Sequence, residues 1–206
     1  MTTIVHFMRH GEVHNPEGIL YGRIPGYSLS PLGVAMAERV AEWAAGRDIK
    51  AIHASPLTRA QETAAPVAAL LGLSVTTDER LIEATNIFEG KRFSVGDGVL
   101  RRPSAWRHLW NPFKPSWGEP YTEQVARMLE AAHAARIAAS GHEAICVSHQ
   151  LPIWILRSYL EGRHFLHDPR RRECTLASLT SIVFNADGQV TDVRYSEPAR
   201  DLLPKK

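Results

Sequence analysis

Four short stretches of the chain hold residue types that could do chemistry together. The first is Arg9-His10-Gly11-Glu12, which ends the apolar run Ile4-Val5-His6-Phe7-Met8. Histidine can act as a nucleophile near neutral pH, and arginine offers an oxyanion a rigid fork of donors. The second, Ser55-Pro56-Leu57-Thr58-Arg59, adds another arginine; the third, Ser148-His149-Gln150, adds another histidine directly after the apolar run Ala144-Ile145-Cys146-Val147. The fourth runs from Leu81 to Gly90 and supplies two carboxylates, Glu83 and Glu89. Each stretch alone has a bland reading. An Arg-His pair at a strand end meets water, an arginine lies on a helix surface, and glutamates are solvated.

The elements around these stretches would place them on one edge. An apolar strand ending at Arg9 would present Arg9 and His10 at its carboxyl end, where α/β proteins hold ligands, and Gly11 would permit a sharp turn. Glycines and prolines from His14 to Gly26 make a loop. Ser30-Pro31 reads as an N-cap and first helical residue, with Leu32, Ala35, Met36, Val40 and Trp43 on one stripe and Gly46 as the stop. A short strand, Ala51–Ala54, leads into Ser55-Pro56, read as a second cap and proline start; that helix would bend at Pro66 and end at Gly72. Arg59 then lies in the first helical turn, where free N–H groups and the helix dipole favour an anion. Ser74–Thr77 reads as a short strand and Tyr121–Ser140 as a long helix carrying Val125, Met128, Leu129 and Ala132 on one face. A buried strand, Glu143–Val147, gives His149 the same setting as His10, and Pro152 opens a helix through Tyr159. Ser178–Phe184 and Gln189–Tyr195 form a hairpin across Asn185–Gly188, and the tail from Leu203 frays. Arg170-Arg171-Arg172 reads as a solvated turn, with substrate contact the lesser reading.

Composition narrows the classes. With 206 residues, 44% hydrophobic and 22% charged, the chain suits one domain with a real core, residues 1–206, and shows no disorder signature. A net charge of +2 gives no bulk case for nucleic acid. Residues 91–120 hold six basic residues against two acidic ones, interleaved with Trp106, Trp110, Phe113 and Trp117. This stretch reads as an excursion covering the pocket of an anionic substrate. No segment has the apolar length of a membrane span, and no signal sequence is evident, so the protein is expected in the cytoplasm without membrane association. Two distant cysteines, Cys146 and Cys174, fit a reduced compartment. His6, His10 and His14 would stack as metal ligands only on a helix, which the strand pattern and Gly11 exclude. His10-Gly11-Glu12 mimics a zinc-deaminase His-x-Glu without the required cysteines, and there is neither a P-loop nor a dinucleotide fingerprint. No metal and no cofactor are expected.

Taken in order, Arg9-His10-Gly11-Glu12, Ser55-Pro56-Leu57-Thr58-Arg59-Ala60-Gln61-Glu62-Thr63-Ala64, Leu81-x-Glu83 and Val147-Ser148-His149 resemble the histidine phosphatase superfamily, also called phosphoglycerate mutase-like. Leu29-Ser30-x-x-Gly33 and Gly118-Glu119 fit it too, so the resemblance covers nearly the whole chain. It implies an α/β three-layer sandwich, a mostly parallel central sheet with helices on both faces. It implies that His10 attacks phosphorus, that Arg9, Arg59 and His149 surround the phosphoryl oxygens, and that Glu83 is the proton donor. There are departures. Val13 stands where a hydroxyl residue is common, Asn15 comes one residue early for its phosphate contact, and Gln150 replaces a glycine and would narrow the pocket or add a donor. The acid block is one residue short, which leaves Glu89 as runner-up to Glu83. The expected activity is hydrolysis of a small phosphorylated metabolite, because the family's mutases tend to be longer. Phosphoglycerate mutation is the alternative, and a non-catalytic phospho-ligand-binding protein the third. The sequence neither specifies nor forbids a homodimer.

Overall fold

The computed structural model describes residues 1–92, 118–165, 167–168 and 171–203. Six strands form one sheet in the order β3-β2-β4-β1-β5-β6. They are β1 (Thr3–Arg9), β2 (Ile49–Ala54), β3 (Val75–Thr77), β4 (Glu143–Ser148), β5 (Leu179–Phe184) and β6 (Val190–Ser196). The first four run parallel, β5 pairs antiparallel with β1, and β6 pairs antiparallel with β5. The sheet is thus mostly parallel, as expected. Among the described residues four α-helices flank it: α1 (Pro31–Ala44), α2 (Thr58–Leu71), α3 (Tyr121–Ala138) and α4 (Gln150–Leu160). Among the described residues no helix is long and apolar enough to cross a membrane.

The two-residue period of the strands divides the core. Met8, Ile52, Ala54, Ile145 and Val147 face α1 and α2, whereas Val5, Phe7, Ala144, Cys146 and Ile182 face α3 and α4. Being covered on both sides, β1 and β4 are almost wholly buried, which explains their unbroken apolar runs. The buried face of α1 is turned slightly from the stripe read in the sequence. Met36 and Val40 are at its centre with Gly33, Ala37, Ala41 and Ala44, while Leu32 and Trp43 pack at its margin. The small residues let α1 approach Ala60, Ala64 and Ala68 of α2.

Several local expectations change. The second helix starts at Thr58 with Leu57 as its cap residue, so Ser55 is not an N-cap, although Pro66 lies inside the helix and Gly72 ends it as expected. The first turn of α4 begins at Gln150, two residues before Pro152. Leu203 packs against the core and is not frayed, whereas residues 204–206 lie outside the described residues. Most of the proposed excursion, residues 93–117, and Arg170 lie outside them as well.

Gly11 is required for a different reason from the one its sequence setting suggests. Its φ is not positive; a Cβ there would lie 2.5 Å from the Gly33 carbonyl oxygen, and a Cβ on Gly33 would lie 2.0 Å from the Glu12 carbonyl oxygen. The turn after β1 and the start of α1 therefore touch backbone to backbone. Glu12 and Ser30 tie the same junction: Ser30 Oγ donates to Glu12 Oε2 at 2.5 Å and accepts from Gly33 N at 3.0 Å. Gly33→Ala is expected to destabilise by about 1–3 kcal/mol through overpacking of two backbones that cannot both move. A urea midpoint equal to that of the unmodified protein would show the junction to be loose.

Candidate active site

Strand order brings the chemistry together. Because β4 lies between β2 and β1, the carboxyl ends of three strands stand side by side. Ser55 N donates to Val147 O at 2.9 Å and His10 N to Ser148 O at 3.1 Å. Arg9 is in register with Ser148, so His10 and His149 follow as neighbours, and their rings are 5.2 Å apart. Both histidines are buried, as is Arg59.

Hydrogen bonds settle the proton positions on the rings. His10 Nδ1 lies 2.8 Å from the Gly11 carbonyl oxygen, which can only accept, so the proton is on Nδ1 and the Nε2 lone pair is free. Arg59 Nη2, which can only donate, lies 3.3 Å from His149 Nδ1. The proton of His149 is then on Nε2, directed at Ser55 Oγ at 2.8 Å. Ser55 is a site residue that the sequence reading missed. Ser-Pro looked like a helix cap, and only the pairing of β2 with β4 shows its place. Tyr21 was missed too. From a loop read only as glycine- and proline-rich, its ring lies 4.7 Å from the Arg59 guanidinium, 6.4 Å from His10 and 5.0 Å from Tyr27.

The arginines differ from most others in the chain. Arg9 Nη1 donates to Cys174 O at 2.7 Å and Arg59 Nη2 to Gly22 O at 2.6 Å, but the Nε atoms of both are buried with no partner. Among the described residues no carboxylate pairs with either. Helices α2 and α4, which start at the site, have no side-chain cap and no acidic residue in their first turns. Two guanidinium groups and two uncapped helix starts amount to a concentration of positive potential that an anion would neutralise.

Glu83 is held in place by a frame of its own. Ser148 Oγ donates to Leu81 O at 2.7 Å, Arg23 Nε to Glu83 O at 2.6 Å, and Arg127 Nη1 to Arg80 O at 2.6 Å. Glu119 joins the two arginines, accepting from Arg23 Nη2 at 3.1 Å and from Arg127 Nε at 2.6 Å. Burial pushes the Glu83 carboxyl above its ordinary range, opposed by the Ala84 N–H and then by Arg59, Arg9 and Arg172. Glu89 has a structural place: its Oε1 accepts from Asn86 N at 3.2 Å, and its side chain covers Gly22.

Two candidates are otherwise engaged or peripheral. Both ends of the Asn15 amide bind Ile19, with Nδ2 donating to its carbonyl at 2.8 Å and Oδ1 accepting from its N–H at 3.0 Å. Asn15 therefore closes its own loop. Gln150 is at the margin of the site, its Nε2 donating to Cys174 O at 3.3 Å, the same carbonyl that Arg9 uses. Arg172 corrects the solvated-turn reading: it is half-buried and within the electrostatic reach of Glu83. The three histidines spaced by four are dispersed, His6 binding Ser181 and Glu143 on the α1 side of the sheet and His14 being exposed.

Burial depresses the pKa of His10, with Arg9 and Arg59 adding to the effect, and depresses that of His149, with His10 and Arg59 adding. Both are neutral at pH 7. A group with a depressed folded pKa binds more protons when unfolded, so stability is complete above the ordinary histidine value of 6.5 and falls as pH drops below it. His6, His53 and His167 are lowered as well and act in the same direction. Each group contributes a slope of up to about 1.4 kcal/mol per pH unit. Urea midpoints are expected to fall between about pH 7 and about pH 5.5, and the fall should shrink in a His10→Asn, His149→Asn double variant. An undiminished fall would assign the coupling to other groups.

A mostly parallel sheet with helices on both faces and paired histidines at its strand ends defines an α/β protein of the phosphoglycerate mutase-like type. The chain belongs to the histidine phosphatase superfamily (branch 1), which matches residues 5–196. It is similar to Uncharacterized protein Rv0525 of Mycobacterium tuberculosis, with 58% identity over 197 residues covering 96% of this chain and 97% of that one. It is also similar to the probable phosphoglycerate mutase GpmB of Yersinia pestis, with 32% identity covering 84% and 82%. The solved structure of Bacillus stearothermophilus YhfR superposes with a TM-score of 0.76 at 26% identity, covering 92% of this chain and 94% of that chain.

Proposed function

We propose that the protein is a phosphatase that hydrolyses a small phosphomonoester through a phosphohistidine on His10. The observation that carries this reading is the pair of arginines, Arg9 and Arg59, without carboxylate partners among the described residues, beside a histidine whose Nε2 lone pair is free. Phosphoryl transfer needs in-line positioning and compensation of spread negative charge more than it needs reactive groups. In the first step the Nε2 lone pair forms a bond to phosphorus as the ester P–O bond breaks. The leaving oxygen takes the Glu83 proton, and Nδ1–H stays on the Gly11 carbonyl to stabilise the charged phosphoimidazole. In the second step the Glu83 carboxylate removes a proton from water, whose oxygen displaces His10 from phosphorus. Arg9, Arg59 and His149 hold the three equatorial oxygens. For His149 to donate from Nδ1 its proton must shift from Nε2, and the Ser55 hydroxyl, able to donate or accept, serves either tautomer.

The second reading is phosphoglycerate mutation, favoured by the likeness to GpmB. Hydrolysis is preferred because the sequence offers one stretch, residues 91–120, to keep water from the intermediate. Phosphate release measured against isomerisation of 3-phosphoglycerate separates the two. Release is expected, and isomerisation without release would overturn the proposal.

Glu83 supplies a sharper test. As a general acid with a raised pKa it must be protonated for the first step, so kcat/KM is expected to fall as pH rises through that raised value. In kcat/KM, which reports the first step and not the later hydrolysis in which Glu83 acts as base, Glu83→Gln should lose about 10²–10⁴-fold on an alkyl phosphate and far less on p-nitrophenyl phosphate, whose leaving group needs no proton. Equal losses on both esters would remove Glu83 from the acid role.

A further inference from the structure

Arg172 has no task in the proposed chemistry, yet through Gln150 it adjoins the same site. It lies on the segment leading to β5, two residues before Cys174, whose carbonyl accepts from both Arg9 and Gln150. Arg172 Nε donates to His167 Nε2 at 2.7 Å, so the His167 proton is on Nδ1, which donates to the Phe165 carbonyl at 2.5 Å. The brace is therefore a neutral imidazole. Nη1 makes one long contact, 3.4 Å to Gln150 Oε1, and among the described residues Nη2 has no hydrogen-bond partner and no carboxylate is within ion-pair distance. Other partly buried arginines behave differently: Arg23 and Arg127 share Glu119, Arg47 pairs with Glu143, and Arg157 with Glu161.

A half-buried guanidinium held, among the described residues, only by neutral groups keeps its charge for something else, and desolvation makes that charge unfavourable until an anion meets it. Burial lowers the Arg172 pKa. Among the charges that oppose this, Glu83 acts first, ahead of Tyr121. Arg172 touches Gln150, Gln150 donates to the Cys174 carbonyl that Arg9 also uses, and Glu83 is the group assigned to the leaving oxygen, so Arg172 is placed to meet the alcohol portion of an ester whose phosphoryl group occupies Arg9 and Arg59.

We propose, resting on the phosphatase reading above, that Arg172 with Gln150 forms a subsite for a second anionic group on the leaving alcohol. The favoured substrates are then phosphomonoesters that also carry a carboxylate or a second phosphate near the ester oxygen. A planar fork whose outer edge has no hydrogen-bond partner among the described residues suits either oxyanion.

The test compares matched ligands by calorimetry in a His10→Ala background, so that no ester is consumed. Glycerol 3-phosphate is set against 3-phosphoglycerate, which replaces a hydroxymethyl group by a carboxylate, and against glycerol 1,3-bisphosphate. Binding of one charged ligand at least about tenfold tighter than glycerol 3-phosphate is expected, and the tighter of the two identifies the anion. Adding Arg172→Gln should bring the ratio within about threefold, and Arg172→Lys should restore part of it, because a lysine keeps the charge without the fork. A ratio unchanged by Arg172→Gln, equal affinities throughout, or no binding of any of the three overturns the subsite. Failure of the phosphatase reading looks different: the protein with His10 intact would release no phosphate from an ester it binds, while the Arg172-dependent ratio stood.

Discussion

His10→Ala is expected to lower kcat/KM on any phosphomonoester by about 10⁴-fold or more while leaving a folded protein. The size follows from the role. Without Nε2 no covalent intermediate forms, and water would have to attack phosphorus directly in a site arranged for an imidazole at that position. His149 cannot substitute, because its Nδ1 faces Arg59 and its Nε2 faces Ser55. The fold should survive, since the ring makes one hydrogen bond, to the Gly11 carbonyl, and the β1 ladder does not depend on it. Circular dichroism and the urea midpoint check the fold, and initial rates of phosphate release check the chemistry. A loss smaller than about tenfold would place the nucleophile elsewhere.

Arg59→Met is expected to move activity and stability in opposite directions. Removing a preorganised cation from the phosphoryl oxygens should lower kcat by about 10²–10³-fold. Yet Arg59 is 1% exposed, has no carboxylate partner among the described residues, and has its pKa lowered by burial. A buried charge in that state destabilises the free protein, so an apolar side chain of similar length should raise stability by about 1 kcal/mol, a shift of a few degrees in Tm. The Gly22 carbonyl, which loses its donor, and the lost cation–π contact with Tyr21 reduce the gain. Differential scanning calorimetry of the phosphate-free protein, beside initial rates, checks both arms. A fall in Tm together with the fall in rate would mean that Arg59 is chiefly a structural residue.

The legible part of the site was the part carried by local pattern. Arg9, His10 and His149 end apolar runs, and Arg59 follows a short strand by a few residues, so residue type and strand period were enough to put them on one edge of a sheet. Nothing local could reveal Ser55. Its partner His149 is distant in sequence, and the pairing of β2 with β4 through Ala54 and Val147 is a fact of strand order. Arg172 and Tyr21 were illegible for a related reason: loop side chains take their direction from the surfaces they pack on, not from a repeat in their own segment. Gly11 shows the opposite case, in which a correct residue was given the wrong reason. A positive φ is the usual inference for a glycine after a strand, but the constraint comes from Gly33, which sits on another element. The motif's charges were also not all of one kind. Glu12 and Glu62 bind Ser30 and the Leu29 N–H and fix the junction beside the site.

Brief mixing of the protein with a phosphomonoester, alkaline quenching to preserve phosphoramidates, and peptide mapping of the phosphoryl group would test the central claim most directly. The expected adduct is on His10 and on Nε2, the nitrogen left free by the Gly11 carbonyl. It should be absent from His10→Ala and decay with release of inorganic phosphate. A phosphoryl group found on Nδ1 of His10, on His149, or on a residue away from the ends of β1 and β4 would contradict the geometry from which the chemistry was derived.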